Sequence, residues 1–140
     1  MVRAAAAAVV LGSVTAGSAG VAAAQAAPAA SKSATVVKVV TRSPFGKMLA
    51  TTKGRSLYIL PKGSCTGGCL TAWPPLVMPK GKTTPLGTHC LKTVKFGSRL
   101  QVTYRGRRLY LFAGDSGSSV NGNNVSGFKV AKASTAACPK

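Results

Sequence analysis

The acid–base, redox and metal-binding chemistry that the sequence offers rests mainly on six side chains: Cys65, Cys69, His89, Cys90, Asp115 and Cys138. Four cysteines in an exported chain predict two disulfides, and four half-cystines allow three pairings. A redox pair would call for Cys-x-x-Cys spacing beside a βαβ pattern; Cys65 and Cys69 have neither, so a structural role is expected for them. Zinc or copper would find suitable ligand types in Cys65, Cys69, His89 and Cys90, but an oxidising compartment diverts thiols into disulfides. His89 also has no carboxylate other than Asp115 to orient it. No Cys-x-x-Cys-His haem attachment occurs, so the expectation is no metal and no cofactor.

Asp115 is the only acidic side chain, which excludes paired-carboxylate glycoside hydrolysis and a calcium site rich in acidic side chains. A Ser-His-Asp arrangement would need both Asp115 and the single His89, and no Gly-x-Ser-x-Gly elbow accompanies them. The sequence therefore points away from an enzyme.

The 19 lysines and arginines against one acid give a formal net charge of +18. That imbalance cannot be neutralised internally; it opposes compaction and attracts anionic surfaces over about 8 Å at physiological salt. The expected partner is an anionic cell-wall polymer or an anionic lipid surface. Nucleic acid fits less well, because few aromatics are present and no stacking or base-reading motif is evident.

Residues 1–26 read as a cleavable signal peptide. Arg3 precedes an apolar run from Ala4 to Leu11, and small residues end the stretch at Ala24-Gln25-Ala26. Gly12, Ser13, Thr15, Gly17, Ser18 and Gly20 interrupt it too often for a membrane span, so no transmembrane segment is expected after cleavage. The localisation that follows is secreted or extracytoplasmic, with attachment to the cell wall as the finer possibility.

The elements that must position these side chains are mainly β. Residues 27–43 read as a flexible lead over 27–34, followed by one strand around Val36-Val37 and Val39-Val40. Residues 44–140 form a single β domain with an internal repeat, in units of about 45–76 and 97–132. Lys53-Gly54-Arg55-Ser56-Leu57-Tyr58-Ile59-Leu60 recurs 52 residues later as Arg105-Gly106-Arg107-Arg108-Leu109-Tyr110-Leu111-Phe112.

Each copy reads as a hairpin. Leu100, Val102 and Tyr104 alternate with Gln101, Thr103 and Arg105, a strand with one wet face. The returning stretch 109–112 has no polar member and is expected to be covered on both faces. Two such hairpins need each other, which predicts a small sandwich or barrel. Residues 69–73 make a short helical turn that Pro74 ends, with Trp73 plugging the core. Residues 79–88 and 114–127 read as loops.

These residues resemble a family of bacterial secreted proteins and lipoproteins named for a Tyr-x-(Phe/Trp/Tyr)-x-x-Asp repeat. Tyr110-Leu111-Phe112-Ala113-Gly114-Asp115 matches the motif throughout. Cys65-Thr66-Gly67-Gly68-Cys69 leading into Ala72-Trp73-Pro74-Pro75, and the closing Gly127-Phe128-Lys129-Val130, resemble it as well. Leu60 and Gly63 stand in the first copy where the motif has an aromatic and an aspartate, Phe128 stands where tryptophan is expected, and the lipidation cysteine common in relatives is absent. The resemblance implies the pairings Cys65 with Cys69 and Cys90 with Cys138. It implies no reaction, since the family has no settled activity.

The candidate sites are therefore two. Lys53 and Arg55, with Arg105, Arg107 and Arg108, sit at equivalent turns and are expected to present charge at one end of the fold. Tyr58, Trp73, Tyr110, Phe112 and Asp115 are the motif residues. For Asp115 the reading is a turn-former that accepts backbone N–H bonds or an arginine fork; the tyrosines read as core aromatics with satisfied hydroxyls. A non-enzymatic envelope-associated protein is the leading expectation, and the alternative is a thiol-disulfide or electron-transfer accessory using Cys65 and Cys69.

Overall fold

The computed structural model describes residues 31–140; the signal peptide assigned to 1–26 and the start of the lead lie outside the described residues. The elements are β1 (Ser33–Thr35), β2 (Val37–Arg42), β3 (Gly46–Thr51), β4 (Tyr58–Ile59), a single helical turn α1 (Cys69–Ala72), β5 (Thr84–Leu86), β6 (Leu91–Phe96), β7 (Arg99–Tyr104), β8 (Arg107–Arg108) and β9 (Lys129–Val130). The fold is mainly β and not a closed barrel. Its sheets are the pairs β1-β5, β2-β3 and β4-β9 and the three-stranded β6-β7-β8, joined by isolated bridges.

Ser33 and Ala34 are not part of a flexible lead: β1 runs parallel to β5 and aligns them with Thr84 and Pro85. For the same reason 79–88 is not a plain solvated loop, since Thr84–Leu86 is a strand and Pro85 is buried. The sequence signal was weak because Pro85 reads as a breaker, whereas an edge strand tolerates a residue without an N–H.

Both repeat hairpins form. In the second, the two-residue turn Arg105-Gly106 returns β7 to β8 with Tyr104 opposite Arg107. In the first, Gly54 N–H donates to Thr51 O at 2.8 Å and Ala50 bridges Ser56.

The two hairpins then meet through their equivalent tyrosines. Tyr58 N–H donates to Tyr110 O and Tyr110 N–H donates to Tyr58 O, each at 2.9 Å, a hydrogen-bonded antiparallel pair. The relation is that of an internal two-fold, and the rest of the ladder obeys it. Leu57 N–H bonds Leu49 O, Leu49 N–H bonds Ala131 O, and Ala131 N–H bonds Leu57 O. The same ring of three joins Leu109, Val102 and Leu76.

The repeats are therefore not self-contained. Segment 74–78 follows the first hairpin in the chain but packs on the second, through Leu76 N–H to Leu109 O at 3.0 Å and Met78 N–H to Leu100 O at 2.8 Å. Segment 129–133 follows the second hairpin and packs on the first, through Ala131 and through Ala133 N–H to Lys47 O at 3.0 Å. Each repeat lends its third strand to the other, so neither hairpin can complete its ladder alone.

The exchanged ladder has a core on both faces. Successive side chains of a strand point to opposite sides. Thus Leu49, Leu57, Leu109 and Ala131 enter one buried cluster with Val37, Met78, Val102 and Tyr104. Their neighbours Met48, Tyr58, Tyr110 and Val130 enter a second, with Cys65, Trp73 and Phe128. This is why 57–60 and 109–112 contain no polar residue. It also corrects the reading of β7 as half-wet: Gln101 is 0% and Thr103 4% exposed. The amide of Gln101 is satisfied inside, donating to Leu109 O at 2.9 Å and accepting from Arg108 Nη1 at 2.7 Å.

α1 ends as its sequence requires. Trp73 closes the turn with its N–H on Cys69 O at 2.9 Å and leaves the helical region ahead of Pro74, and its indole is 2% exposed.

Candidate functional site

The aromatic residues of the motif converge where the two repeats meet. Trp73 and Phe128 precede the two exchanged strands at equivalent places, two residues before Pro75 and Val130. They stack with ring centroids 3.7 Å apart and planes 9° from parallel. Tyr58 meets Trp73 edge-on at 5.4 Å, and Tyr110 meets Phe128 edge-on at 5.3 Å. Phe112 lies against Trp73 with centroids 4.5 Å apart. All five motif residues named from the sequence, Tyr58, Trp73, Tyr110, Phe112 and Asp115, thus belong to one neighbourhood.

The two halves of that neighbourhood differ in polarity. On the first, Tyr58 Oη donates to Asp115 Oδ2 at 2.6 Å. The other oxygen, Oδ1, accepts Asn121 N–H at 2.7 Å and the Ser119 hydroxyl at 3.3 Å. Gly122 N–H donates back to Tyr58 Oη at 3.1 Å, and Ser56 Oγ holds Ser119 O at 2.8 Å. Loop 114–127 is thereby fastened across the first repeat. Gly122 is required there, because a Cβ would lie 2.8 Å from Trp73 and 2.9 Å from Tyr58.

Asp115 is 8% exposed and its hydrogen-bond partners are hydroxyls and an amide. The backbone-accepting part of the turn-former reading holds, while the arginine fork does not form among the described residues. Burial, followed by the hydrogen bond to Asp115, pushes the Tyr58 hydroxyl up to about 12.

On the second half, Tyr110 lines a cavity of about 460 Å³ together with Gly63, Cys65, Gln101, Arg107 and Arg108. Tyr110 is 4% exposed, and no hydrogen bond joins its hydroxyl to another described residue. The expectation of two satisfied tyrosine hydroxyls is met at Tyr58 only. One wall of this cavity is the loop after the first hairpin, which the Cys65–Cys69 disulfide closes, and the other comes from the second hairpin and the turn at Phe96-Gly97.

The basic turns are not at one end. Antiparallel pairing of Tyr58 with Tyr110 sends the two turns to opposite ends of the pair. Arg55 Nη2 consequently reaches Phe112 O at 2.9 Å, and Arg107 Nη1 reaches Pro61 O at 2.6 Å. Lys53 is exposed beside Arg55 at one end. At the other end Arg107 and Arg108 are exposed, while Arg105 is half-buried and bonds Ala136 O at 2.8 Å and Ala137 O at 2.9 Å. Repeat position alone could not reveal this, because it carries no information on strand direction.

The second disulfide, Cys90–Cys138, lies in the same region as the Arg105 contacts. Both pairings are those expected, no free cysteine remains, and His89 is exposed with Nε2 3.3 Å from Ala136 O. Two disulfides fit an oxidising compartment. No helix of the described residues is long and apolar enough to cross a membrane.

Sequence reasoning missed Arg42, Ser56, Ser119, Asn121 and Gln101. Arg42 grips the first turn, with Nη1 on Ser56 Oγ at 2.8 Å and Nη2 on Gly54 O at 2.5 Å. Only Gln101 carried a signal, as a polar residue between apolar neighbours in a strand. No protein-family model matches the chain, and no curated protein and no solved structure matches it.

Proposed function

We propose that this is a non-enzymatic exported β domain held to an anionic polymer of the cell envelope by its basic surface. One observation carries the reading: the only acidic side chain, Asp115, is turned inward and hydrogen-bonded, while none of the lysines and arginines in the described residues is buried. The outer face is thus cationic without an acidic side chain to offset it, and such a field draws in a polyanion whatever the detailed contacts.

The two disulfides support a place outside the cytoplasm, and the signal peptide read at 1–26 supplies the route. The likeness of Tyr110 to Asp115 to the secreted repeat family is part of the same reading. Lys53 and Arg55 at one end, and Arg105, Arg107 and Arg108 at the other, give two basic contact areas, which suits an extended polymer better than a compact acidic protein.

Co-sedimentation of the purified domain with isolated wall polymer over a salt series tests this. Retention at low salt and release as salt rises supports it. Retention on anionic vesicles alone would move the attachment to the lipid surface.

A further inference from the structure

The internal two-fold places a carboxylate against one motif tyrosine and none against the other. Asp115 receives the Tyr58 hydroxyl at 2.6 Å. Its counterpart in the first repeat is Gly63, 52 positions earlier, and Gly63 and Tyr110 line the same cavity. Tyr110 is buried, and among the described residues no hydrogen bond takes its phenolic donor. Arg107 and Arg108 share the lining, each spending one N–H, on Pro61 O and Gln101 Oε1 respectively, out of the five a guanidinium carries. Lys95 adds a third cation, and Leu60, Leu70 and Phe96 add an apolar wall.

We propose that the cavity beside Tyr110 binds the carboxylate of a small organic acid with an apolar body. The bound carboxylate takes from Tyr110 the hydrogen bond that Asp115 takes from Tyr58, and the arginine forks meet its charge. A guanidinium matches the planar pair of carboxylate oxygens, and the internal precedent at Tyr58 is a carboxylate. A volume of about 460 Å³ suits a whole small molecule rather than a bare anion. This site shares Arg107 and Arg108 with one of the two basic areas proposed for polymer attachment, and differs from it in needing the Tyr110 hydroxyl and an apolar wall.

Titration with N-acetylleucine, read by calorimetry and by ligand-observed NMR, is the test. N-acetylleucinamide supplies the same body without the charge, and inorganic phosphate the charge without the body. The acid should bind, and the amide and phosphate should bind much more weakly. Tyr110→Phe keeps the ring and should weaken the acid by about tenfold, the scale of one charge-assisted hydrogen bond.

Gly63→Asp places a carboxylate on the chain itself and should abolish binding, whereas Gly63→Asn, with the same backbone demand at φ +83° and open space around the added Cβ, should retain it. Melting temperatures of all variants confirm folding, and Tyr110→Phe and Gly63→Asn, which leave the charge as it was, should be retained on wall polymer unchanged. Equal binding of acid and amide, phosphate binding as tightly as the acid, indifference to Tyr110→Phe, or no binding at millimolar acid would each overturn the proposal without touching polymer attachment.

Discussion

Trp73 and Phe128 stack face to face at 3.7 Å, and each heads a strand that the other repeat's hairpin completes. The stack is the point where the two exchanged halves lock, with Phe128 1% exposed. Truncating it to alanine opens a cavity between the halves and should cost about 3–5 kcal/mol. Denaturant unfolding followed by the fluorescence of Trp73, the single tryptophan, measures it. A cost below about 1 kcal/mol, the level of a surface change, would mean the halves are held elsewhere.

The Asp115 carboxylate accepts three hydrogen bonds in a nearly closed site. Asp115→Asn keeps the shape but weakens acceptors made for a charge, so a loss of about 1–3 kcal/mol is expected. Retention on wall polymer should survive, because the side chain faces inward. Unchanged stability with lost retention would make Asp115 a ligand contact instead.

Tyr58 gives the fold an alkaline limit. Its hydroxyl is held up to about 12 by burial and by Asp115, against an ordinary value of 10.0. A raised folded value means the protonated form is favoured by folding. That stability is complete below pH 10 and disappears as pH rises through 12; two units correspond to roughly 2–3 kcal/mol. Stability measured from pH 9 to 12 should fall more steeply in the native protein than in Tyr58→Phe. Parallel curves would contradict the assignment.

Non-reduced peptide mapping should return Cys65–Cys69 and Cys90–Cys138 with no titratable thiol. On the chain-entropy picture, a loop of 48 residues contributes about 4 kcal/mol and one of four residues about 2. Replacing Cys90 and Cys138 by serine should therefore lower stability about twice as much as replacing Cys65 and Cys69. Free thiols at Cys65 and Cys69 in native protein would revive the thiol-disulfide accessory.

Much of this architecture could be read from residue types. The repeat at 53–60 and 105–112, the helical turn stopped by Pro74 and the covering of 109–112 follow from periodicity, proline sterics and the absence of polar residues, although the regular strand there is only Arg107–Arg108 and 109–112 continues it as isolated bridges. The exchange of segments 74–78 and 129–133 did not, because local pattern cannot say which of two similar hairpins a following strand will join. The placing of the basic turns at opposite ends was hidden too, because it follows from the antiparallel pairing of Tyr58 with Tyr110, and repeat position carries no strand direction. Burial of Gln101 depended on two partners, Leu109 and Arg108, brought together only by the turn at Arg105-Gly106. The polarity difference between Tyr58 and Tyr110 was half visible, in Gly63 standing where the motif has aspartate.

Salt-dependent retention on isolated anionic wall polymer tests polymer attachment most directly. Native protein should bind at low salt and release steeply as salt rises, because each cation–anion contact is screened or exchanged for released counterions. Replacing Arg105, Arg107 and Arg108 by glutamine should flatten that slope more than replacing Lys80 and Lys82, whose loop carries less charge; Lys82 is half-buried on Ser31 O at 2.6 Å. Equal flattening would show the charge acting diffusely. Absence of retention at low ionic strength would contradict attachment through charge altogether.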